Sequence, residues 1–343
     1  MKRLALYFTA PFEISVREEA LPLPAAGQVL VQTLASAISA GTELLIYRGH
    51  PPADICMGET IPSLAGNSDF PVKYGYATVG RVTEVGKDVD KRWRGRTVFA
   101  FRPHESHFLS APAELIPVPP GLSPEEAALL PNMETSVNFL MDGQPLIGEQ
   151  VAVFGQGVVG LLTTSLLARL PLASLVTLDR YSIRRRQSLR LGAHASLDPE
   201  APDAAAHLTS LLQKASPYSG ADLTYELSGN PDALEKAIEV TGFNGRIVIG
   251  SRYGQKPADL SLGRHFHRSR IRLISSQVST ISPEWTGRWT KGRRLQVAWQ
   301  MLQHFSPAHL ITHRFPLAEA SRAYAMLDRH PEEAIQVVLT YED

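Results

Sequence analysis

The stretch Val151–Asp179 constrains the fold more than any other part of the chain. A short β-branched and aromatic run, Val151–Phe154, leads directly into a glycine-rich turn and then into an apolar helical run that ends before Pro171. A second apolar strand pattern follows and closes with Asp179. The order strand, glycine turn, helix, strand and acid predicts a βαβ unit of a doubly wound parallel sheet.

The glycine turn has the spacing of a dinucleotide-binding loop. Gly155 permits a tight turn, Gly157 lets the backbone approach a pyrophosphate, and Gly160 lets the helix lie close to the strand. The phosphates would accept hydrogen bonds from the free N–H groups at the helix start, where the peptide dipoles favour negative charge. A glycine-rich turn without a ligand is the alternative, and the flanking strand, helix and acid argue against it. The residues predicted to bind the cofactor here are Gly155, Gln156, Gly157, Val158, Val159 and Gly160.

Asp179 indicates which dinucleotide to expect. It lies roughly 20 residues beyond the turn, where an acid accepts hydrogen bonds from the adenosine ribose and repels a 2′-phosphate, so NAD is favoured over NADP. Arg180 and Arg184 could instead hold such a phosphate, so NADP stays open. Further cofactor contacts are expected after later strands, at Ser228, Gly250, Ser251 and Gln277.

Length and charge bound the class of protein. At 343 residues the chain is long enough for two domains with separate cores. Its 34 basic and 34 acidic residues balance, so no global field attracts nucleic acid or an anionic membrane, and the run Arg184–Arg186 is expected on the solvated face of a helix. No segment has the roughly 18 consecutive apolar residues of a membrane span, and the N-terminus lacks a signal-peptide core. We expect a soluble, cytoplasmic protein.

The single cysteine, Cys56, excludes an intrachain disulfide and a four-cysteine zinc lobe. Asp54 and Glu59 lie close to it in sequence and would raise a thiol pKa, which argues against a nucleophilic role.

The rest of the chain predicts a β-rich part before the glycine turn and α/β alternation after it. The first 35 residues alternate in strand fashion, and closely spaced glycines between short strands over residues 71–101 suggest a strongly bent barrel. Ser123 caps a helix that leads to a break at Pro131-Asn132. Five or six parallel strands with intervening helices follow, and the tail from Trp285 adds two helices and a closing strand, residues 334–339.

Together these landmarks resemble the medium-chain dehydrogenase/reductase superfamily, which includes alcohol, sorbitol and threonine dehydrogenases. The resemblance covers nearly the whole chain. It implies an α/β protein with a GroES-like bent β-barrel domain and a Rossmann doubly wound parallel sheet domain. The implied domains are residues 1–124, residues 125–284, and a return to the first domain over residues 285–343. It also implies a homodimer formed through an edge strand at Arg270–Ser275.

The departures from the family pattern concern zinc. Where zinc members have a Cys-Gly-Thr/Ser-Asp segment, this chain has Ala40-Gly41-Thr42-Glu43, and where they have Gly-His-Glu it has Gly75-Tyr76-Ala77. The third ligand position falls at Pro131 or Asn132. We therefore expect no catalytic zinc. The chain resembles a zinc-free branch of the bacteriochlorophyllide a dehydrogenase type, whose members oxidise a secondary alcohol to a ketone.

Without a metal, hydride transfer needs another group at the substrate oxygen. Thr42 matches the hydroxyl that relays protons in the zinc enzymes. Tyr76 occupies the histidine ligand position, and its phenol could donate to the substrate oxygen if Lys73 or the nicotinamide charge lowers its pKa. The alternative for Tyr76 is that it only fills the volume of the missing metal.

Three further residues are weaker catalytic candidates. Glu43 matches a carboxylate that orients ligands in zinc members, and here it would hold Arg48 or a substrate hydroxyl, or form a structural ion pair. His50 could relay protons, although it does not align with the relay histidine of the family. Glu134 follows the third ligand position and could face the same pocket.

The remaining candidates divide between site and structure. The pairs His104/His107 and His265/His267 have spacings that a metal could use, but we expect solvated or core-edge histidines. The aromatic residues Trp285, Trp289 and Tyr253 either line a wide substrate pocket or belong to the core.

The sequence therefore predicts a zinc-independent, NAD-dependent dehydrogenase acting on a secondary alcohol or ketone of a fairly large small-molecule substrate. An NADPH-dependent quinone or enoyl reductase and a non-catalytic nucleotide-binding protein are the alternatives.

Overall fold

The computed structural model describes residues 2–50, 69–212, 219–254 and 256–341. The chain divides into two compact units, which we call the outer unit (Met1–Pro131 with Leu302–Asp343) and the inserted unit (Asn132–Met301). The sequence-based boundaries, after residues 124 and 284, lie N-terminal to these two junctions. Cys56 and its acidic neighbours lie outside the described residues.

The outer unit is built on antiparallel β structure, as the alternating pattern predicts. β1 (Lys2–Ala10) forms a two-stranded sheet with β2 (Glu13–Ala20), and isolated bridges also join Ala5 to Glu105 and Phe8 to Val72. The strands of a second, seven-stranded sheet are β3 (Val29–Ala37), β4 (Thr78–Val85), β5 (Thr97–Ala100), β6 (His107–Ser110), β7 (Ile116–Pro117), β14 (Ile311–Pro316) and β15 (Gln336–Thr340). Their order is β14-β15-β3-β4-β5-β7, with β6 also pairing β3. Its helices are α1 (Ala40–Tyr47), α2 (Pro124–Ala127) and α9 (Ala320–Arg329). Strands from both ends of the chain thus share one sheet.

The helix capped by Ser123 is shorter than predicted. Ser123 and Glu126 form a reciprocal capping box, and α2 ends after one turn at Ala127. Pro131 does not end this helix but lies in the first turn of α3 (Leu130–Gly143). Proline is tolerated there because the N–H groups of the first turn have no acceptor within the helix, so its missing N–H costs no helical hydrogen bond.

An ion-pair cluster joins β1, β2 and the segment before β4. Glu19 accepts hydrogen bonds from the Tyr7 hydroxyl and from Arg3 Nε at 2.8 Å, and Lys73 Nζ lies 3.0 Å from the same carboxylate. Lys73 also pairs with Glu105 at 3.1 Å. Burial raises the pKa of Glu19, but the three donors outweigh it and hold that pKa at about 2.

This cluster predicts a measurable loss of acid stability. Because the carboxyl pKa is about 2 in the folded protein against a reference of 4.5, it stabilises the fold above pH 4.5, and that contribution is lost as the pH falls towards 2. We expect Glu19→Gln to lower the free energy of unfolding at pH 7 by about 2 kcal/mol, and by less at pH 3. Urea unfolding at both pH values measures this. The exposed neighbour Glu18 is the control, and an equal loss in Glu18→Gln would contradict the assignment.

The inserted unit is a six-stranded parallel sheet with helices on both faces. Its strands are β8 (Gln150–Phe154), β9 (Ser174–Leu178), β10 (Ala195–Leu197), β11 (Ala221–Glu226), β12 (Thr241–Ile249) and β13 (Arg272–Ser275). Besides α3, its helices are α4 (Val158–Leu167), α5 (Ser182–Arg190), α6 (Ala204–Leu211), α7 (Pro231–Val240) and α8 (Lys291–Phe305). Both α3 and α8 cross the junctions between the units.

The strand order β10-β9-β8-β11-β12-β13 is that of a doubly wound nucleotide-binding sheet. Alternate residues of β8 point to opposite faces: Ala152 packs in a cluster with Leu208 and Leu234, and Val151 packs in another with Phe139. From β8 the chain adds β9 and β10 on one side, and it then adds β11, β12 and β13 on the other side. Sheets of this kind bind ligands at such a switch point, here between β8 and β11. β13 lies at one edge, the position that the resemblance implies for a dimer strand, and dimerisation itself stays a prediction.

None of the helices in the described ranges combines the length and the apolar character that crossing a bilayer requires.

Candidate functional site

The glycine turn joins β8 to α4 at the carboxyl edge of the parallel sheet. Gly155 has φ +89°, and a Cβ there would lie 2.6 Å from the Cα of Ser228. A Cβ on Gly160 would lie 2.0 Å from the Gly155 carbonyl oxygen. Around Gly157, by contrast, no atom of the described residues lies within 4 Å of such a Cβ. Packing therefore requires glycine at two positions, and the third faces open space.

Asp179 is coupled directly to this turn. Its Oδ2 accepts the Gln156 backbone N–H at 2.7 Å, and its Oδ1 accepts the Tyr181 N–H at 2.8 Å. The Gln156 side chain is fully buried and bonds Thr164 Oγ1 at 2.9 Å. The acid after β9 is thus held rigidly beside the turn, with carboxylate lone pairs left for a ligand hydroxyl.

The arginine run lies closer to Asp179 than the sequence suggested. Only Arg186 is exposed; the Arg184 side chain is 18% exposed, lies 3.9 Å from Asp179 Oδ2 and stacks 4.7 Å from the centroid of the Tyr181 ring. Burial lowers the pKa of Arg184 against the opposing charge of Asp179. Arg185 donates to the Asp179 carbonyl oxygen at 2.8 Å. The prediction of a solvated face was wrong for Arg184, which the Asp179 carboxylate and the Tyr181 ring contact, and for Arg185, which also pairs with Asp198 at 2.9 Å.

Arg180 points to a different partner. It pairs with Glu200 at 3.3 Å in an exposed position and donates to the Tyr181 hydroxyl at 2.9 Å.

The ends of β11 and β12 bring together the later cofactor candidates around a buried carboxylate. Glu226 is fully buried, and it accepts hydrogen bonds from the Ser228 N–H at 2.9 Å and from the Tyr253 hydroxyl. Gly250 donates to the Glu226 carbonyl at 3.0 Å, and Ser251 Oγ accepts the Gly229 N–H at 2.7 Å. Tyr253 therefore belongs to this cluster and not to a pocket with Trp285 and Trp289.

Glu134 lies in the inserted unit and faces a buried arginine. Its Oε1 accepts from Arg294 at 2.9 and 3.1 Å, and both side chains are almost wholly buried. Burial raises the pKa of Glu134, although the Arg294 charge opposes this. Arg294 also donates to the carbonyls of Val278 and of Thr280. The pair anchors the segment after β13, in which the exposed Gln277 lies.

In the outer unit, Glu43 is the centre of a fully buried polar network. Its Oε1 accepts the Ser39 backbone N–H at 2.7 Å, and its Oε2 lies 3.0 Å from His104 Nε2 and accepts the Tyr324 hydroxyl. Both Glu43 and His104 have no exposed side-chain surface. Burial and the Glu43 charge raise the pKa of Tyr324 well above its ordinary value.

The network continues on the other side of the imidazole. Ser36 Oγ lies 2.7 Å from His104 Nδ1 and 2.7 Å from the Tyr341 hydroxyl. A neutral imidazole that donates from Nε2 and accepts at Nδ1 satisfies every group. A Cβ on Gly75 would lie 2.7 Å from the His104 ring, so the glycine before Tyr76 gives the imidazole its space.

Tyr76 is tied to this network through Ser39, because their hydroxyls form a hydrogen bond with each other. Tyr76 and Thr42 are both half-buried. Lys73, the expected modulator of Tyr76, forms its ion pairs with Glu19 and Glu105 instead. Ala40 starts α1 and offers no metal ligand.

Other sequence candidates are placed elsewhere. Arg48 pairs with Asp328 at 2.6 Å and not with Glu43, so that expected pair was wrong. His50 is exposed after α1. His107 contacts Ser106 Oγ at 3.1 Å, and burial lowers its pKa. His265 Nε2 contacts the Thr241 carbonyl at 2.8 Å.

Sequence reasoning missed the Glu43 partners His104 and Tyr324, and it missed Glu226. His104 was expected at the core edge or in solvent, and it is fully buried. It is separated from Glu43 by 61 positions, so no local spacing connects them. For Glu226 a signal existed, since a carboxylate inside the apolar run Leu223–Leu227 needs buried partners. Within the described residues, a cluster of three possible metal ligands occurs at the exposed His330, Glu332 and Glu333.

Comparison with known proteins finds sequence similarity to dehydrogenases. A family described as zinc-binding dehydrogenase matches residues 158–291. D-guloside 3-dehydrogenase of Escherichia coli (strain K12) is 25% identical over 332 residues, covering 92% of this chain and 93% of that protein.

Solved structures share the fold over the whole length. An alcohol dehydrogenase from E. coli CFT073 complexed with NADH superposes with a TM-score of 0.78 at 17% identity, covering 99% of both chains. The 2R,3R-butanediol dehydrogenase from Bacillus subtilis gives 0.78 at 19% identity, covering 98% of this chain and 99% of that one. The predicted fold class, a GroES-like barrel with a Rossmann domain, is confirmed.

Proposed function

We propose that this chain, which resembles the medium-chain dehydrogenase/reductase superfamily, transfers a hydride between a nicotinamide cofactor and a secondary alcohol or ketone without catalytic zinc. Like its relatives, it is an oxidoreductase acting on CH–OH groups. The proposal adds two details to this activity: NAD is the preferred cofactor, and catalysis does not require zinc.

The observation that carries the cofactor assignment is the open space at Gly157 beside Asp179. Gly157 begins α4 without a side-chain cap, so the first-turn N–H groups have no capping side chain and can donate to a pyrophosphate. The carboxylate of Asp179 is rigid and positioned for ribose hydroxyls. The residues present fit a dinucleotide, which supplies or accepts the hydride when bound.

The residues at the former metal positions do not fit zinc. Ala40 has no ligand atom, and Tyr76 replaces an imidazole with a phenol already bonded to Ser39. We propose that in ketone reduction the Tyr76 hydroxyl donates its proton to the substrate oxygen, while the Ser39 hydroxyl donates to the resulting phenolate. In alcohol oxidation the same proton moves back. Thr42 is the proposed second hydroxyl at the substrate oxygen.

The proposed function is tested by assaying the purified chain with NAD and a panel of secondary alcohols that includes D-guloside-type glycosides. A parallel panel combines NADPH with quinones and enones. We expect turnover of alcohols with NAD, with no loss of activity after chelator treatment. Stoichiometric zinc that activity requires would contradict zinc independence, and cofactor binding without turnover would favour a non-catalytic role.

Tyr76→Phe tests the proton donor. Because general acid catalysis typically contributes 10²–10⁴-fold, we expect kcat to fall about 100-fold with KM changed less than about threefold. Steady-state kinetics over a pH range measures both constants. Tyr74→Phe is the matched control on the adjacent buried tyrosine. Equal losses in the two variants, or none in Tyr76→Phe, would assign Tyr76 a packing role.

Asp179→Asn tests the choice between NAD and NADP. Removing the charge takes away the repulsion of a 2′-phosphate and leaves Arg184 free to bind one. We expect the Kd for NADH to rise about 10-fold and the Kd for NADPH to fall, measured by fluorescence titration. Glu200→Gln, which removes an exposed carboxylate nearby, should leave the ratio of the two Kd values unchanged.

A further inference from the structure

A cavity of about 550 Å³ opens on the inserted unit. One wall is a face of α3 that presents Val137 and Met141, one turn apart, and the facing wall is α8 with Arg293, Val297 and Met301 at successive turns. Its volume lies within the roughly 300–1,000 Å³ typical of small-molecule sites. We call it the tryptophan groove, because Trp285 and Trp289 also line it.

The groove is separate from the glycine turn. α4 begins at Val158 beside the turn and ends at Leu167, and Leu166 of its last turn lines the groove together with Leu170. At 1.5 Å per residue, Leu166 lies about 12 Å along the helix from Val158. A small ligand in the groove would therefore not occupy the pyrophosphate position.

The rim of the groove is cationic. The Arg288 guanidinium lies 4.8 Å from the Trp285 ring and that of Arg293 lies 4.1 Å from the Trp289 ring. Arg293, in the first turn of α8, also donates to the backbone carbonyl of Arg288 at 2.5 Å, which ties the segment before the helix to its first turn. Across the ranges that the structure describes, neither guanidinium has a carboxylate within ion-pair distance. Among the described residues, these two positive charges therefore have no ion-pair partner, and the nearby carboxylate of Glu284 accepts a hydrogen bond from Gln144 at 3.0 Å instead.

An unsatisfied donor and exposed apolar side chains accompany this charge. The Trp285 Nε1–H is buried and has no acceptor among the described residues. A buried donor without an acceptor is unfavourable, and a ligand that supplied one would remove that penalty. Leu146 lines the groove with 63% of its surface exposed, and Ile147 beside it is 83% exposed.

We propose that the tryptophan groove binds a small amphiphilic carboxylate, with the acyl chain or ring in the cavity and the carboxylate at the two guanidinium groups. The apolar walls alone would suit any hydrophobic molecule; the unneutralised pair of arginines selects an acid, because guanidinium binds carboxylate with charge-assisted paired hydrogen bonds. This site goes beyond the proposed dehydrogenase function and does not depend on it.

Calorimetric titration of the full chain with decanoate and with decyltrimethylammonium tests the proposal, since the two probes share a chain length and differ in charge. We expect one decanoate per chain, bound at least 10-fold more tightly than the cation. The double variant Arg288→Gln/Arg293→Gln should weaken decanoate binding at least 10-fold. Arg186→Gln/Arg190→Gln removes two exposed arginines of the same unit and should leave it unchanged.

Any of four results would overturn the proposal. One is equal affinity for the two probes, and another is unchanged decanoate binding in the Arg288/Arg293 variant, whose exposed positions should not affect folding. The third is a change of molar mass in light scattering on that substitution, which would mean that a second copy of the chain covers the groove. Val297→Trp, checked for folding by circular dichroism, fills the cavity and should abolish binding. Decanoate should not displace NADH, and displacement would place the probe at the cofactor site instead.

Discussion

Gly160→Ala is expected to unfold a large part of the population or to lose cofactor binding outright. The added methyl would lie 2.0 Å from the Gly155 carbonyl oxygen, and backbone atoms cannot move away as a flexible side chain can. Moving α4 off β8 is an overpacking cost of about 3 kcal/mol, a large share of the stability of a domain. Thermal unfolding followed by circular dichroism, with NADH titration of the remaining folded protein, measures both effects.

The matched variant Gly157→Ala separates folding from ligand contact. No described atom lies within 4 Å of the added methyl, so the melting temperature should stay within a degree or two of the parent. The methyl would nevertheless occupy the space that a pyrophosphate needs, and we expect the Kd for NADH to rise at least 10-fold. If Gly157→Ala bound NADH normally, the open space at this position would not be the phosphate site.

Glu43→Ala is expected to cost the outer unit about 3–5 kcal/mol. Truncation leaves His104 Nε2, the Tyr324 hydroxyl and the Ser39 N–H without their acceptor, and two of these partners are fully buried. Each buried donor without a partner costs about 1–3 kcal/mol. Urea unfolding measures the loss, and Glu84→Gln, an exposed acid on β4, is the control with an expected change under about 0.5 kcal/mol.

Glu43→Gln distinguishes structural support from a catalytic contribution. The amide keeps the shape and one acceptor oxygen, so the variant should fold with a smaller loss than Glu43→Ala. It also removes the negative charge bonded to the Ser39 N–H, and the hydroxyl of the same serine bonds Tyr76. We expect the pH dependence of kcat to shift in Glu43→Gln. A stability loss with an unchanged pH profile would restrict Glu43 to holding α1, His104 and α9 together.

The cofactor half of the site could be predicted because its residues are contiguous. Gly155, Gly157 and Gly160 lie within one turn, and Asp179 follows at the distance that the strand, helix and strand require. The other half could not, because it depends on tertiary contacts: Glu43 and Tyr324 are 281 positions apart. Spacing within the sequence carries no information about such a pair.

Two local errors have a related cause. Pro131 suggested the end of a helix, yet it starts one, since the same missing N–H suits both positions. The arginine run suggested a solvated face, because charge is read from the sequence while the Tyr181 ring that covers Arg184 is recognised only in the fold.

The outer sheet draws strands from both ends of the chain, since Val338 of β15 pairs with Ala37 of β3. During synthesis β3 leaves the ribosome some 300 residues before its neighbour β15, at an elongation rate of about 5–20 residues per second. For that interval the C-terminal half of β3 lacks one pairing partner. An unpaired strand edge can pair with a strand of another chain and so promote aggregation. Nascent chains stopped before Gln336 should therefore aggregate or recruit chaperones even where the inserted unit has already folded.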